Sequence, residues 1–442
     1  MIKKIEAIMK KTRPEAHELH KYIGQETEVH GAVHKIREMS GFAFVILRTK
    51  RTLLQCIYIP GCCEFPLSDL RENMSVVIRG EVVEDPRSKA GFELRIRAIK
   101  VLSAPDGELP VAINGKEIPA SLDTLLDLRP VTARNEKERA VFQIQAGICR
   151  GFRSFLEKGG FTEIHSPKIV SMGAEGGANI FKLDYFGKEA FLCQSPQLYK
   201  QMMVGVFERV YEIAPVFRAE RHHTSRHINE YTSVDVELGF IESFYDIMKL
   251  EAQMLSHCLS FLGEHYADEL ALLGASLPAI SEIPSLTFTQ AKELVSRTYK
   301  RPITDQSDFE PEEERLLSEI IRQETGCEFV FVTHYKSSKR PFYAMDSPED
   351  PCVTESFDLL FRGLEITTGG QRIHDYNQQL KKMRSLGIET RPFESYLMAH
   401  RCGLPPHGGF GLGLERFTAR LLGFQNIRRA TLFPRDMNRL EP

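Results

Sequence analysis

The sequence predicts an α+β chain of more than one domain, a small OB-type β-barrel followed by a larger domain built on an antiparallel sheet with flanking helices. Three observations carry that reading. At 442 residues the chain is longer than one compact core usually holds. Between residues 28 and 103 it reads as short β-rich runs separated by turn residues, and five such runs in about 75 residues suit a Greek-key barrel. Beyond residue 130 strands and helices are interspersed without regular βαβ alternation, and hairpin-like segments point to antiparallel pairing.

The barrel strands are expected at 28–37, 43–48, 53–59, 75–85 and 92–103. Met39-Ser40-Gly41, Pro60-Gly61 and Asp85-Pro86 supply turns between them. A fragment of a β-sandwich fits the same pattern. Residues 1–104 are assigned to this domain, and 105–130, rich in Pro, Gly and Asp, to a hinge. Residues 131–442 form the second domain. It opens on a helix whose Ala140, Ile144, Ile148, Phe152 and Phe155 lie close to one apolar stripe.

Composition excludes several classes. Lys and Arg total 57 against 60 Asp plus Glu, a formal charge of -3, which rules out a uniformly basic nucleic-acid binder but leaves room for a local basic patch. No apolar run reaches the ~18 residues of a membrane span. The first residues are basic without an apolar core, so no secretory signal is expected. Nine cysteines with no C-x-x-C pair argue against a disulfide framework and a zinc site, and for a reducing cytoplasm.

Four segments carry chemistry. In the first, Arg218 and Glu220 alternate with Phe217 and Ala219, and Ser233, Asp235 and Glu237 with Val234, Val236 and Leu238. Each strand thus presents a charged face, with Arg226 and His227 in the polar loop between. A solvated sheet face is the plain alternative; an anion beside a polar heterocycle is the functional one. His222, His223 and His227 invite a metal reading but lack a matched carboxylate or Cys partner.

In the second, a two-residue turn at Arg362-Gly363 would pair Phe361 with Leu364, Leu360 with Glu365 and Asp358 with Thr367. Asp358 and Glu365 become diagonal neighbours, which repel unless a divalent cation sits between them; Mg²⁺ bridging to phosphate suits this. In the third, Gly408, Gly409, Gly411 and Gly413 allow either close approach to a flat ligand or tight packing. A helix follows with Leu414, Phe417 and Leu421 on one side. Arg416 sits in its first turn, where free N–H groups favour an anion. In the fourth, Ser195 reads as an N-cap and Pro196 as the first helical residue, with Gln197 and Lys200 on one face. A capped surface helix is the plain reading.

Together these segments resemble the class II aminoacyl-tRNA synthetases. Phe161–Pro167, Phe217–Glu220 with Arg226, and Gly411–Arg416 are similar to that family's motifs 1, 2 and 3. Gln194–Gln201 and Gly369–His374 resemble the aspartyl-tRNA synthetases, the archaeal type most, since the large insertion common in bacterial enzymes is missing. The resemblance implies a bent ATP, with Arg218 on the α-phosphate and Arg416 on the γ-phosphate and adenine as the catalytic pair. Glu220 and Tyr231 would flank the base. Ala219, Arg226, His227 and Ile228, with Glu365, Gly413, Leu414 and Glu415, would complete the ATP site. Asp358, Glu365 and Thr368 would hold Mg²⁺; a regular strand would point Thr368 away from Glu365, so the following glycines must twist the chain. Glu175 and Asp235 would meet the ammonium of L-aspartate. Ser195, Gln197, Lys200, Arg218, Thr368 and Arg372 would surround the rest of it, with Arg372 the specificity group.

The implied reaction makes aspartyl-adenylate from aspartate and ATP, then transfers aspartate to the 3′ end of tRNA(Asp), with tRNA(Asn) left open. The barrel would bind the anticodon: Phe44 stacking on a base, Gln55 and Glu93 reading base edges, Pro86 near a position that favours tRNA(Asp)-only enzymes. Barrel core is the plain alternative for Phe44. Ala32 and Thr49 depart from the family's usual Trp and Asp at the anticodon surface. A cytoplasmic homodimer is implied, without membrane contact. The rivals are an asparaginyl-tRNA synthetase and a non-catalytic paralogue that binds RNA; the second would be expected to have lost Arg218, Glu365 or Arg416.

Overall fold

The computed structural model describes residues 14–88, 90–173, 179–221 and 224–442. They fall into two compact units, Met1–Ile118 and Pro119–Pro442. The stretch expected as a hinge is divided between them, its later part carrying short helices at Leu122–Asp127 and Arg129–Thr132.

The first unit is a closed barrel, not a sandwich fragment. Its strands are β1 (Glu26–Met39), β2 (Phe42–Arg48), β3 (Leu53–Tyr58), β4 (Ser75–Glu84) and β5 (Phe92–Ser103), in the order β1-β2-β3-β5-β4. Strict alternation sends Ala43, Val45 and Leu47 of β2 inward, where they meet Leu54, Cys56, Val76 and Ile78. β1 is long enough to pair with both β2 and β4, and a bulge near His34 lets it bend from one partner to the other.

The second unit is built on an eight-stranded sheet. In chain order its strands are β6 (Thr162–Glu163), β10 (Arg209–Phe217), β11 (Glu230–Gly239), β12 (Ser285–Thr287), β13 (Phe329–Thr333), β14 (Ser356–Phe361), β15 (Leu364–Arg372) and β16 (His407–Gly413). They lie in the order β12-β13-β14-β15-β16-β11-β10-β6, antiparallel except for the two outermost pairs. A small three-stranded sheet joins β7 (Ile169–Val170), β9 (Lys188–Leu192) and β8 (Lys182–Tyr185). Helices α1 (Glu136–Lys158) and α3 (Phe244–His265) share the main core with the sheet. The expected stripe of α1 is realised: Ala140, Ile144, Ile148 and Phe152 are buried and Phe155 packs at the edge. The region 255–345, in which no motif was read, supplies β12, β13 and α4 (Pro311–Thr325), so it widens the sheet. Among the described residues no helix is long and apolar enough to cross a membrane. All nine cysteines are free.

Candidate active site

A cavity of about 370 Å³ opens over the middle of the large sheet. Its floor is β11, β15 and β16. The charged face of β11 is not a solvated surface: Ser233, Asp235 and Glu237 are all buried. Gly409 lies opposite Glu237 in register, and a Cβ there would come within 2.2 Å of Glu237 Oε2. Packing thus explains Gly409, whereas Gly411 and Gly413 border the cavity itself.

Glu237 is fully buried and accepts Arg372 Nε at 2.9 Å and Nη2 at 3.5 Å, while Nη2 also donates to Gly409 O at 2.8 Å. Burial alone would raise the Glu237 carboxyl; Arg372 and Lys200 outweigh it and hold it below the usual carboxylate range. Arg372 lines the cavity, and among the described residues its Nη1 makes no hydrogen bond. Asp375, the acid nearest Arg372 in the sequence, instead caps the helix Tyr376–Ser385.

Lys200 departs from expectation. It lies on α2 (Gln197–Phe207), and its ammonium is buried beneath the floor, donating to Asp235 Oδ1 at 2.9 Å and Phe410 O at 2.8 Å. It does not border the cavity, so it acts on the site through Asp235. Helix α2 begins one residue later than expected, with Pro196 as N-cap and no side-chain cap, which leaves Ser195 on the cavity wall. The helix is not a surface one: Gln197, Leu198, Lys200, Gln201 and Val204 are buried. Asp235 Oδ2, Gln197 Nε2, Gln194 Oε1 and Arg340 Nε, buried atoms of residues that line the cavity, have no hydrogen-bond partner among the described residues.

Further cations border the cavity. Arg218 lies just past β10, its guanidinium 5.9 Å from the Tyr231 ring centroid. Arg226 pairs with Glu314 of α4, a residue that no motif pointed to. His227 is 2.7 Å from Thr224 Oγ1, and Glu220 lies 3.8 Å from its ring. Arg416 sits in the first turn of α5 (Leu414–Leu421) and donates to Glu365 O at 3.0 Å. Ile228, Tyr231 and Ile427 add an apolar wall. Two expected ATP residues serve as framework: Leu414 is core, and Ala219 N–H donates to Asn179 O; Glu415 lines the cavity, and both its carboxylate oxygens accept Thr232 N–H. Burial pushes the Glu415 carboxyl up to about 7.

The β14–β15 hairpin turns at Arg362-Gly363, both with positive φ (46° and 78°), as a two-residue type I′ turn requires. Phe361 pairs with Leu364 and Leu360 with Glu365, as expected. The register then shifts. Ile366 is an extra residue in β15, so Asp358 pairs with Thr368 rather than Thr367. That bulge, not the later glycines, brings Thr368 to the side of Glu365, where its hydroxyl donates to Glu365 Oε1 at 3.1 Å. Asp358 and Glu365 are close enough to interact: burial raises the Asp358 carboxyl to about 6, Arg340 opposes this, and the charge of Glu365 adds to it. Arg340 donates to Asp358 Oδ1 at 2.8 Å. It belongs to a cavity wall, Lys339–Ala344, that carried no recognised motif.

A family model described as tRNA synthetases class II (D, K and N) matches residues 121–437, and one described as an OB-fold nucleic acid binding domain matches 27–102. This chain belongs to the class II tRNA synthetases. It is 46% identical to the aspartate–tRNA(Asp/Asn) ligase of Thermus thermophilus over 96% of this chain and 99% of that protein. It is 39% identical to the aspartate–tRNA(Asp) ligase of Pyrococcus horikoshii, covering 95% and 97%. Among solved structures, the asparaginyl-tRNA synthetase of Pyrococcus horikoshii with asparaginyl-adenylate superposes with a TM-score of 0.90 at 29% identity, over 98% and 100% of the two chains.

In this class II synthetase, Arg218, Glu365 and Arg416 border one cavity together with Asp235 and Arg372. Glu175, His222 and His223 lie outside the described residues. On the barrel, Phe44 is excluded from the core and sits half-buried on the outer face, edge-on to Phe42 at 5.1 Å. Phe44 pairs with Ile57, and Gln55 with Ile46, so Phe44 and Gln55 share that face. Gln55 Nε2 donates to Glu93 Oε2 at 3.0 Å. Pro86 is exposed in the turn between β4 and β5, where Asp85 accepts the backbone N–H of Arg87.

Proposed function

We propose that this chain is an aspartate–tRNA ligase that activates L-aspartate with ATP and esterifies the 3′ end of tRNA(Asp). The observation that carries the choice of amino acid is that two residues lining the cavity, one cationic and one anionic, each keep an atom without a hydrogen bond among the described residues. Arg372 Nη1 offers a donor and Asp235 Oδ2 an acceptor, which suit the side-chain carboxylate and the ammonium of aspartate. Asparagine would turn an N–H₂ donor toward a donor-only group.

The α-carboxylate of aspartate is already a nucleophile, so its attack on the α-phosphorus needs no general base. The O–P bond forms as the bond to pyrophosphate breaks. Arg218 and Arg416 stand where they can hold the phosphates and offset their charge, which leaves positioning and electrostatics as the main sources of acceleration. In the second step a ribose hydroxyl attacks the adenylate carbonyl and AMP departs. Asp358, Glu365 and the Thr368 hydroxyl form an oxygen-only donor set suited to Mg²⁺, which when bound would neutralise phosphate charge. The outer barrel face at Phe44 and Gln55, with the buried Glu93 accepting from Gln55 beneath it, suits single-stranded bases of an anticodon loop. Resemblance to motif 1 at Phe161–Pro167 supports a homodimer, for which a stable active monomer in sedimentation would count as refutation.

Pyrophosphate exchange with aspartate and with asparagine tests the amino acid; exchange with asparagine alone would overturn the assignment. Aminoacylation of purified tRNA(Asp) and tRNA(Asn) tests the RNA. Pro86 favours tRNA(Asp) alone, whereas the relatives at 46% identity bear names that include both. Comparable kcat/KM on the two tRNAs would remove Pro86 as a discriminator.

A further inference from the structure

Arg340 lies outside every motif, yet it borders the cavity and holds Asp358, a buried carboxylate just behind the cavity lining. Its side chain is only 12% exposed, and Nη2 donates to Asp358 Oδ1 at 2.8 Å. The guanidinium lies 4.0 Å from the Tyr335 ring centroid, and its buried Nε makes no hydrogen bond among the described residues. It is therefore bound through one charge-assisted hydrogen bond and a ring face, short of the bidentate grip its fork permits. Asp358 and Glu365 meet across the Thr368 hydroxyl, and two carboxylates this close repel unless a positive charge offsets them. Arg340 supplies one such charge on Asp358 and Arg416, 3.5 Å from Glu365 Oε1, a second; the cation assigned to these ligands would supply another. Two cations beside one carboxylate repel as well.

We propose that Arg340 and the divalent cation compete for Asp358. Arg340 is the resident counter-ion of Asp358, as Arg416 is of Glu365, and it yields the carboxylate when the cation arrives. With Arg340 engaged, Arg340, Asp358 and Glu365 together carry one net negative charge. With Arg340 turned away, the two carboxylates present two negative charges to a doubly charged ion. The released guanidinium still borders the cavity, where it can face the phosphates that come with the metal. Arg340 is thus a positioning residue for the carboxylate pair, and the inference rests on reading Asp358 and Glu365 as the cation's ligands.

The test is Mn²⁺ binding to the full-length enzyme without nucleotide, by titration calorimetry and by the electron paramagnetic resonance signal of free Mn²⁺. Arg340→Gln keeps a hydrogen-bond donor for Asp358 but no charge; Arg340→Met keeps neither. Competition predicts that both variants bind Mn²⁺ about tenfold more tightly than the parent, because a like charge beside the ion is gone. It also predicts a melting temperature lowered in chelator and restored by saturating Mn²⁺. If Arg340 only orients Asp358, both variants bind Mn²⁺ more weakly, or Arg340→Gln matches the parent, and either result overturns the proposal. Should Arg340→Met not fold, Arg340→Gln alone decides. Asp358→Asn separates the two levels: if it leaves Mn²⁺ binding unchanged, the ligand assignment has failed rather than the competition.

Discussion

Arg372 has two tasks that a single substitution would confuse. It balances Glu237, which is fully buried, and it lines the cavity with its Nη1 making no hydrogen bond among the described residues, where the proposed function has it grip aspartate. Arg372→Leu is expected to lower aspartate-dependent pyrophosphate exchange by about 10² or more, at least ~2.7 kcal/mol of transition-state stabilisation. It should also lower unfolding stability, because removing one partner of a buried pair commonly costs about 3–5 kcal/mol. Lys200 Nζ, 3.4 Å from Glu237 Oε2, should soften that loss. The double variant Arg372→Leu/Glu237→Gln separates the tasks. Stability should recover in urea unfolding while exchange stays low; recovery of both would make Arg372 a brace and nothing more.

At the scale of single elements, α3 buries an acid that the chemistry does not use. Neither oxygen of Glu251 reaches hydrogen-bond geometry with a described residue. Burial pushes its carboxyl from the ordinary 4.5 up to about 8; the nearby Thr367 hydroxyl opposes this and the charge of Asp358 adds to it. Between those two values the folded state holds a proton that the unfolded chain has lost. Stability therefore falls as pH rises through this window, by at most about 1.4 kcal/mol per pH unit, and levels off above it. Glu251→Gln should match the parent near pH 5 and exceed it at pH 8 in urea unfolding. An equal offset at both pH values would show that Glu251 does not titrate in this way. The same scale shows what the sequence could and could not disclose. Period-two alternation located the barrel strands, and the Arg362-Gly363 turn fixed the first pairs of its hairpin. The bulge at Ile366 was hidden, because Glu365, Thr367 and Thr368 are polar in either register. Ser195-Pro196 carries the composition of a capped helix start, although the cap is not used. The spacing of Gln197 and Lys200 gave a shared face but not its depth. The partners of that ammonium, Asp235 and Phe410, lie far along the chain on β11 and β16. Arg340 and Glu314 were illegible for the same reason, since their meaning comes only from the strands against which they pack.

Over the whole molecule, the two units have separate hydrophobic cores, and the residues bordering the catalytic cavity all belong to the second. On the proposed function, amino-acid activation would use only that cavity, whereas selection of a tRNA by its anticodon would use the outer face of the barrel around Phe44 and Gln55. The two activities should therefore part when the chain is divided. A fragment of residues 119–442 carries the complete eight-stranded sheet and its helices, so it should fold without the barrel. It is expected to retain aspartate-dependent pyrophosphate exchange within about tenfold of the full chain, since no exchange residue is removed. Aminoacylation of tRNA(Asp) should fall much further, by roughly 10² or more in kcat/KM, because base stacking is worth about 1–3 kcal/mol per base and several contacts go at once. Phe44→Ala in the full chain should lower aminoacylation in the same direction and leave exchange unchanged. A fragment that folds, by circular dichroism and cooperative melting, yet loses both activities equally would show that the barrel serves activation as well as RNA choice. A fragment that keeps both would remove the barrel from tRNA selection.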